Sequence, residues 1–160
     1  MTSTARAWVM DVGGGFCVAA GAHQVVEYLL SPETINLPLT PAHCRGVMIW
    51  RERMIPVVDL APLLPGGDAQ ASGWHRAVVL AYQEAPGEPL RYGALMVRAA
   101  PLEVFAADDT SCPLPDDPDI FRHFACSCFV HNDQAIPILD AAHLFARPLA
   151  GHAREPAVTI

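Results

Sequence analysis

Ile55-Pro56-Val57-Val58-Asp59-Leu60-Ala61-Pro62-Leu63-Leu64 returns as Ile136-Pro137-Ile138-Leu139-Asp140-Ala141-Ala142-His143-Leu144-Phe145. The offset is 81 residues, about half of the 160-residue chain, and five of the ten positions are identical. A repeat at half-length predicts two lobes of similar build. In both copies an apolar run and a polar turn come first. Each copy therefore reads as strand, turn, strand and an Asp-capped helical turn. Pro56 and Pro137 lie inside the second strands. Proline has no N–H to give a ladder, so these strands are expected at an edge, or the prolines at a strand start. Asp59 and Asp140 are candidate catalytic carboxylates, but their identical place before a short helix favours N-caps.

Outward from the repeat, Val47–Trp50 and Met54–Val58 flank Arg51-Glu52-Arg53 and read as a hairpin with a charged tip. Phe124–Val130 and Ala135–Leu139 form a second pair around Asn132-Asp133, and Asp140–Phe145 suits a short closing helix. Ala7–Val12, the turn Gly13-Gly14-Gly15 and Phe16–Ala20 make another hairpin. Three glycines also suggest a phosphate loop, but no Lys-Ser/Thr follows. His23–Leu30 fits helix or strand by pattern, and Val25, Val26 and Tyr28 favour strand. Thr40-Pro41-Ala42-His43-Cys44-Arg45-Gly46 reads as one helical turn, with Thr at the N-cap, Pro at the first position and Gly past the end. Arg76–Tyr82 and Tyr92–Val97 are strands. Residues 65–73 are expected as a loop or linker, 106–119 as irregular, and the tail 148–160 has no pattern, so the domain is expected over 6–147.

Composition bounds the function. Apolar residues are 52% and charged residues 17%, which excludes disorder. The net charge is −7, and all ten basic residues are arginine with no cluster, so neither a nucleic-acid footprint nor a polybasic membrane patch is expected. Val12–Val26 is too short and too interrupted to span a membrane, and no signal peptide stands out. Five irregularly spaced cysteines read as reduced, in a cytoplasmic protein.

Val25-Val26-Glu27-Tyr28, Thr40-Pro41 through Gly46-Val47, Trp50-Arg51 and Ile55-Pro56-Val57-Val58-Asp59-Leu60 together closely resemble the CheW family of chemotaxis coupling proteins, without gaps from Val25 to Leu60. Ile138-Leu139-Asp140 through Leu144-Phe145 fits the family's ending. The resemblance implies an all-β fold of two five-stranded SH3-like barrels packed together. It implies a stand-alone adaptor without catalytic activity or cofactor. The partners would be a CheA-type histidine kinase, through its regulatory domain, and the cytoplasmic tip of chemoreceptors. It places partner contacts at Val25, Glu27, Gly46, Val47 and Arg51, with Trp50 beside the groove. Two positions depart from the family: Glu52 replaces the Gly after Arg51, and Met96-Val97-Arg98-Ala99 lacks the Asp of Val-Asp-x-Val. If the turn needs a positive φ, Glu52 is strained there.

Rival chemistry is limited. His123-x2-Cys126-x-Cys128-x2-His131 suggests a small metal- or redox-responsive protein. In a strand, however, Cys126 and Cys128 share one face and the two histidines the other, so four ligands would not converge. Cys17 with His23, or Ser111 with a distant His, could pair as a nucleophile and base, but no local motif supports either. Trp8, Trp50 and Trp74 are irregularly spaced and read as core or seam residues.

Overall fold

The apolar runs that flank polar tips all become strands. The computed structural model describes residues 3–65, 76–116 and 119–146. The expected tail at 148–160, most of the expected loop at 65–73, and Trp74 lie outside the described residues. The strands are β1 (Thr4–Gly13), β2 (Phe16–Gly21), β3 (Val25–Leu29), β4 (Cys44–Trp50), β5 (Arg53–Val58), β6 (Arg76–Tyr82), β7 (Arg91–Val97), β8 (Leu102–Ala107), β9 (Ala125–His131) and β10 (Gln134–Leu139). Short helices α1 (Phe121–Phe124) and α2 (Ala141–Ala146) flank the last hairpin, and a 3-10 turn at Ala61–Leu63 follows β5. No helix among the described residues is long and apolar enough to cross a membrane.

Two five-stranded sheets result, in the orders β8-β1-β2-β10-β9 and β3-β6-β7-β5-β4. They are built alike. Each has a central hairpin, β1–β2 or β6–β7, and a second hairpin joined to it by one parallel contact, β10 on β2 or β5 on β7. The repeat occupies β5 and β10, the equivalent strands. The first lobe is assembled from both ends of the chain, and the second lies between them. Chain leaving one edge strand crosses to the other edge in both lobes: Ile35 bridges Val47 on β4, and Ser111 bridges Phe129 on β9. That crossing covers the open edges.

Burial alternates along each central strand, but both faces are inside. Ala7, Val9 and Ala19 point into the first lobe with Val104, Phe129 and Ile136. Ala77, Val79, Ala94 and Met96 point into the second with Met48, Trp50, Ile55 and Val57. The opposite faces, Met10, Val12, Val18 and Ala20 against Val78, Leu80, Leu95 and Val97, meet in a third and larger cluster between the lobes. Phe121 and Phe124 of α1, with Leu139 and Leu144, complete that seam. A strand buried on both faces needs a continuous apolar run rather than alternation. This is where the chain's excess of apolar residues goes. Small interior residues suit small barrels.

Four readings need correction. Thr40–Gly46 is not a helical turn: Cys44 N–H reaches only back to the Pro41 carbonyl, one β-turn, and β4 starts at once. Residues 106–107 are not irregular, because they end β8, which pairs with β1. β8 is an edge strand with exposed Leu102 and Phe105, so its pattern carries no clean buried face. α1 also forms where no helix is expected. Finally, β5 and β10 are not edge strands. Their parallel contacts begin after the prolines, at Val57–Val58 and Ile138, so the missing N–H falls where no second neighbour needs it.

The β4–β5 tip is a two-residue turn, and both Arg51 and Glu52 have positive φ, 47° and 64°. The β9–β10 tip has the same form, with Asn132 and Asp133 at 49° and 60°. Such turns match the twist of a hairpin but favour Gly, Asn and Asp. Glu52 therefore carries strain that Asn132 and Asp133 largely avoid. Glu52→Gly is expected to stabilise the fold by about 1 kcal/mol and to raise Tm by about 2–4 °C for a domain of this size. A thermal melt checks it.

Candidate partner-binding site

The family-matched residues divide among three places. Glu27, Trp50 and Arg51 come together. Glu27 leaves β3 toward the end of β4, and its Oε2 accepts the Trp50 indole N–H at 2.8 Å and an Arg51 Nη2–H at 3.3 Å. The Arg51 guanidinium lies over the Trp50 ring, 4.4 Å from its centroid. Trp50 is 6% exposed and packs on Tyr92 at 5.0 Å. Arg53, opposite Trp50 across the hairpin, covers the Tyr92 ring at 5.1 Å. Trp50 thus belongs to the second lobe's core. Its ring supports Arg51 and its N–H fixes Glu27, whose side chain is 39% exposed. The group borders a cleft of about 460 Å³ lined also by Leu30, Pro32, Glu33 and Ile49.

Gly46 and Val47 lie in a second cleft, about 310 Å³ and mainly apolar, between β4–β5 and α2. Leu37, Pro56, Leu144 and Phe145 share it. Because α2 follows the first lobe's β10, this cleft lies where the lobes meet. Val25 reaches neither cleft. A β-bulge at Val26 separates Val25 from Glu27, and Val25 packs on the seam instead. Sequence reasoning missed Tyr92, Leu30 and Ile49. Tyr92 is brought in from β7, some forty residues away. Ile49 and its cross-strand partner Met54 are the readable signal, since both are large, apolar and exposed.

Asp59 departs from the N-cap reading. Leu60 holds the cap position of the 3-10 turn. The Asp59 carboxylate is fully buried, and its Oδ2 accepts Arg45 Nε–H at 3.1 Å and Nη2–H at 2.9 Å. Arg98 Nη2 lies 3.4 Å from both oxygens, and the Ala61 N–H donates to Oδ1 at 3.1 Å. Arg98 also donates its backbone N–H to the Asp11 carbonyl in the first sheet, at 2.8 Å. The clasp is thus built within the second lobe, and the Arg98 backbone joins it to the first sheet. Asp140 does cap α2, accepting the His143 N–H at 3.2 Å.

The rival sites are placed as follows. A bulge at Cys126 breaks the alternation expected to put Cys126 and Cys128 on one face. Cys126 is exposed and Cys128 is buried. Among the described residues no three His, Cys, Asp or Glu side chains gather as a metal cluster. Cys17 lies against the first lobe's interior. Burial, and after it the Asp11 charge, pushes its thiol pKa up, the opposite of what activates a nucleophile. Gly13, Gly14 and Gly15 simply turn the β1–β2 hairpin.

No curated protein matches the chain by sequence. Among solved structures, the chain is similar to the scaffolding protein TtCheW from Thermoanaerobacter tengcongensis, with a TM-score of 0.67 at 21% identity. The match covers 86% of this chain and 89% of that one. It bears on the fold, and the two packed five-stranded lobes agree with it. The family model of the CheW-like domain matches residues 7–149. It takes in both lobes, both copies of the repeat and both clefts, and the chain belongs to the CheW-like family.

Proposed function

We propose that the protein is a non-enzymatic chemotaxis adaptor of the cytoplasm that couples a CheA-type histidine kinase to the cytoplasmic tip of a chemoreceptor. The observation that carries this reading is the preorganised Glu27–Trp50–Arg51 group at the rim of an open cleft. Exposed ion pairs add little to stability. Here the acid leaves a strand and the base sits at a tight hairpin tip over the Trp50 ring, beside exposed Leu30, Ile49 and Met54. Apolar area with oriented charges at its rim is the usual anatomy of a protein interface. The kinase regulatory domain would meet this surface of the second lobe. The receptor tip would enter the apolar cleft at Gly46 and Val47, between the lobes.

Arg51→Ala and Glu27→Ala test the rim. Each is expected to weaken binding to the kinase or receptor by about 5- to 30-fold, the size of a moderate interface contact. Each is expected to lower stability by less than about 1 kcal/mol, checked by urea unfolding. Unfolding of both variants would make these residues structural and remove them from the interface.

A further inference from the structure

The crossover that closes the first lobe brings together two thiols that no motif links. Ser111 bridges Phe129, and the next residue, Cys112, donates its N–H to the Cys128 carbonyl at 3.0 Å. Cys112 thus stands opposite Cys128 in an antiparallel pair. Such positions have Cα atoms about 5.5 Å apart, inside the about 4.4–6.8 Å that a disulfide spans. The side chains also meet, with Sγ atoms 3.1 Å apart. Both cysteines are reduced; Cys128 is 1% exposed, and Cys112 is partly open. Cys126, two residues away, turns its sulfur toward the Ile138 carbonyl instead.

We propose that Cys112 and Cys128 form a redox-responsive dithiol that a low-molecular-weight disulfide oxidises, stapling the crossover to β9. The Cys112 thiolate attacks the small disulfide, forms a mixed disulfide and expels one thiolate. Cys128 loses its proton and attacks the Cys112 sulfur, forming the protein disulfide and expelling the second thiolate. Two protein thiols are oxidised, the small disulfide is reduced to two thiols, and the two protein protons end on them. Entry is through Cys112, the more open sulfur. Burial, and after it contact with Cys112, pushes the Cys128 thiol pKa up to about 12, so Cys128 is the poorer first attacker; its place 3.1 Å from the Cys112 sulfur gives it the second step. The closed loop would contain α1, whose Phe121 and Phe124 fill the seam between the lobes. This inference does not rest on the adaptor reading.

The test equilibrates the full chain, native and in urea, with graded ratios of oxidised to reduced glutathione. Acid quenching, alkylation and peptide mass mapping then locate each thiol. The expected result is a single Cys112–Cys128 disulfide in native protein. Its equilibrium constant should exceed that of the unfolded chain by at least about tenfold, or about 30 mV. Cys112→Ser should abolish the pair and leave Cys17, Cys44 and Cys126 titrating as before. Glutathione adducts without a Cys112–Cys128 pair, a bond to Cys126, or equal midpoints in native and unfolded protein would overturn it. The native and unfolded wild-type measurements decide the matter even if the variant fails to fold.

Discussion

Asp59→Ala is expected to destabilise the protein by about 3 kcal/mol, because it strips the shared partner from two arginines in the interior. The loss is set at the low end of the buried-pair range, since Arg45 and Arg98 keep 28% and 19% of their side-chain surface. With a slope of about 2 kcal/mol/M, the urea midpoint would fall by about 1.5 M. Asp140→Ala is the control. It occupies the same position in the repeat, but its side chain is 32% exposed, caps α2 and lies 2.8 Å from His143 Nδ1. Its expected cost is about 1 kcal/mol. Equal losses from the two variants would show that the clasp adds nothing to a cap. A larger loss at Asp59 would show that the buried clasp adds stability beyond a cap.

Gly46→Ala is the second large effect. The residue has φ +113°, and an added Cβ would lie 2.0 Å from the Ile35 carbonyl oxygen. That oxygen accepts the Val47 N–H at 3.0 Å, so the crossover cannot simply swing away. Strain and clash together are expected to cost about 3–4 kcal/mol and to break the Ile35–Val47 bridge. A match to a family motif can mark a fold requirement as easily as a contact. Here the two separate in one experiment. A Gly46→Ala protein that melts like wild type yet fails to bind would make Gly46 a contact. Loss of stability makes it the seat of the crossover.

Particular residues show what the sequence made legible. The repeat was readable because strand, turn and cap chemistry recur with matching residue types. The hairpin tips were readable from polar pairs such as Asn132-Asp133. What escaped was mostly the work of bulges. At Val26, Arg45 and Cys126 one extra residue enters a strand and redirects its neighbours. So Val25 turns into the seam while Glu27 turns out, Arg45 reaches Asp59, and Cys128 faces Cys112 rather than sharing a face with Cys126. Pairing partners also escaped, because Trp50 with Tyr92, and Asp59 with Arg98, are set by tertiary packing across about forty residues. Glu27, Trp50 and Arg51 of the candidate rim were named by resemblance, while Tyr92, on which Trp50 packs, was not.

The most direct test of the adaptor reading is a calorimetric titration of the purified chain with the regulatory domain of its own cell's CheA-type kinase. The expected result is a saturable one-to-one complex, weakened about 5- to 30-fold in Arg51→Ala with the fold intact. No binding by the wild-type chain, to the kinase domain or to a receptor tip tested alongside it, would contradict that reading.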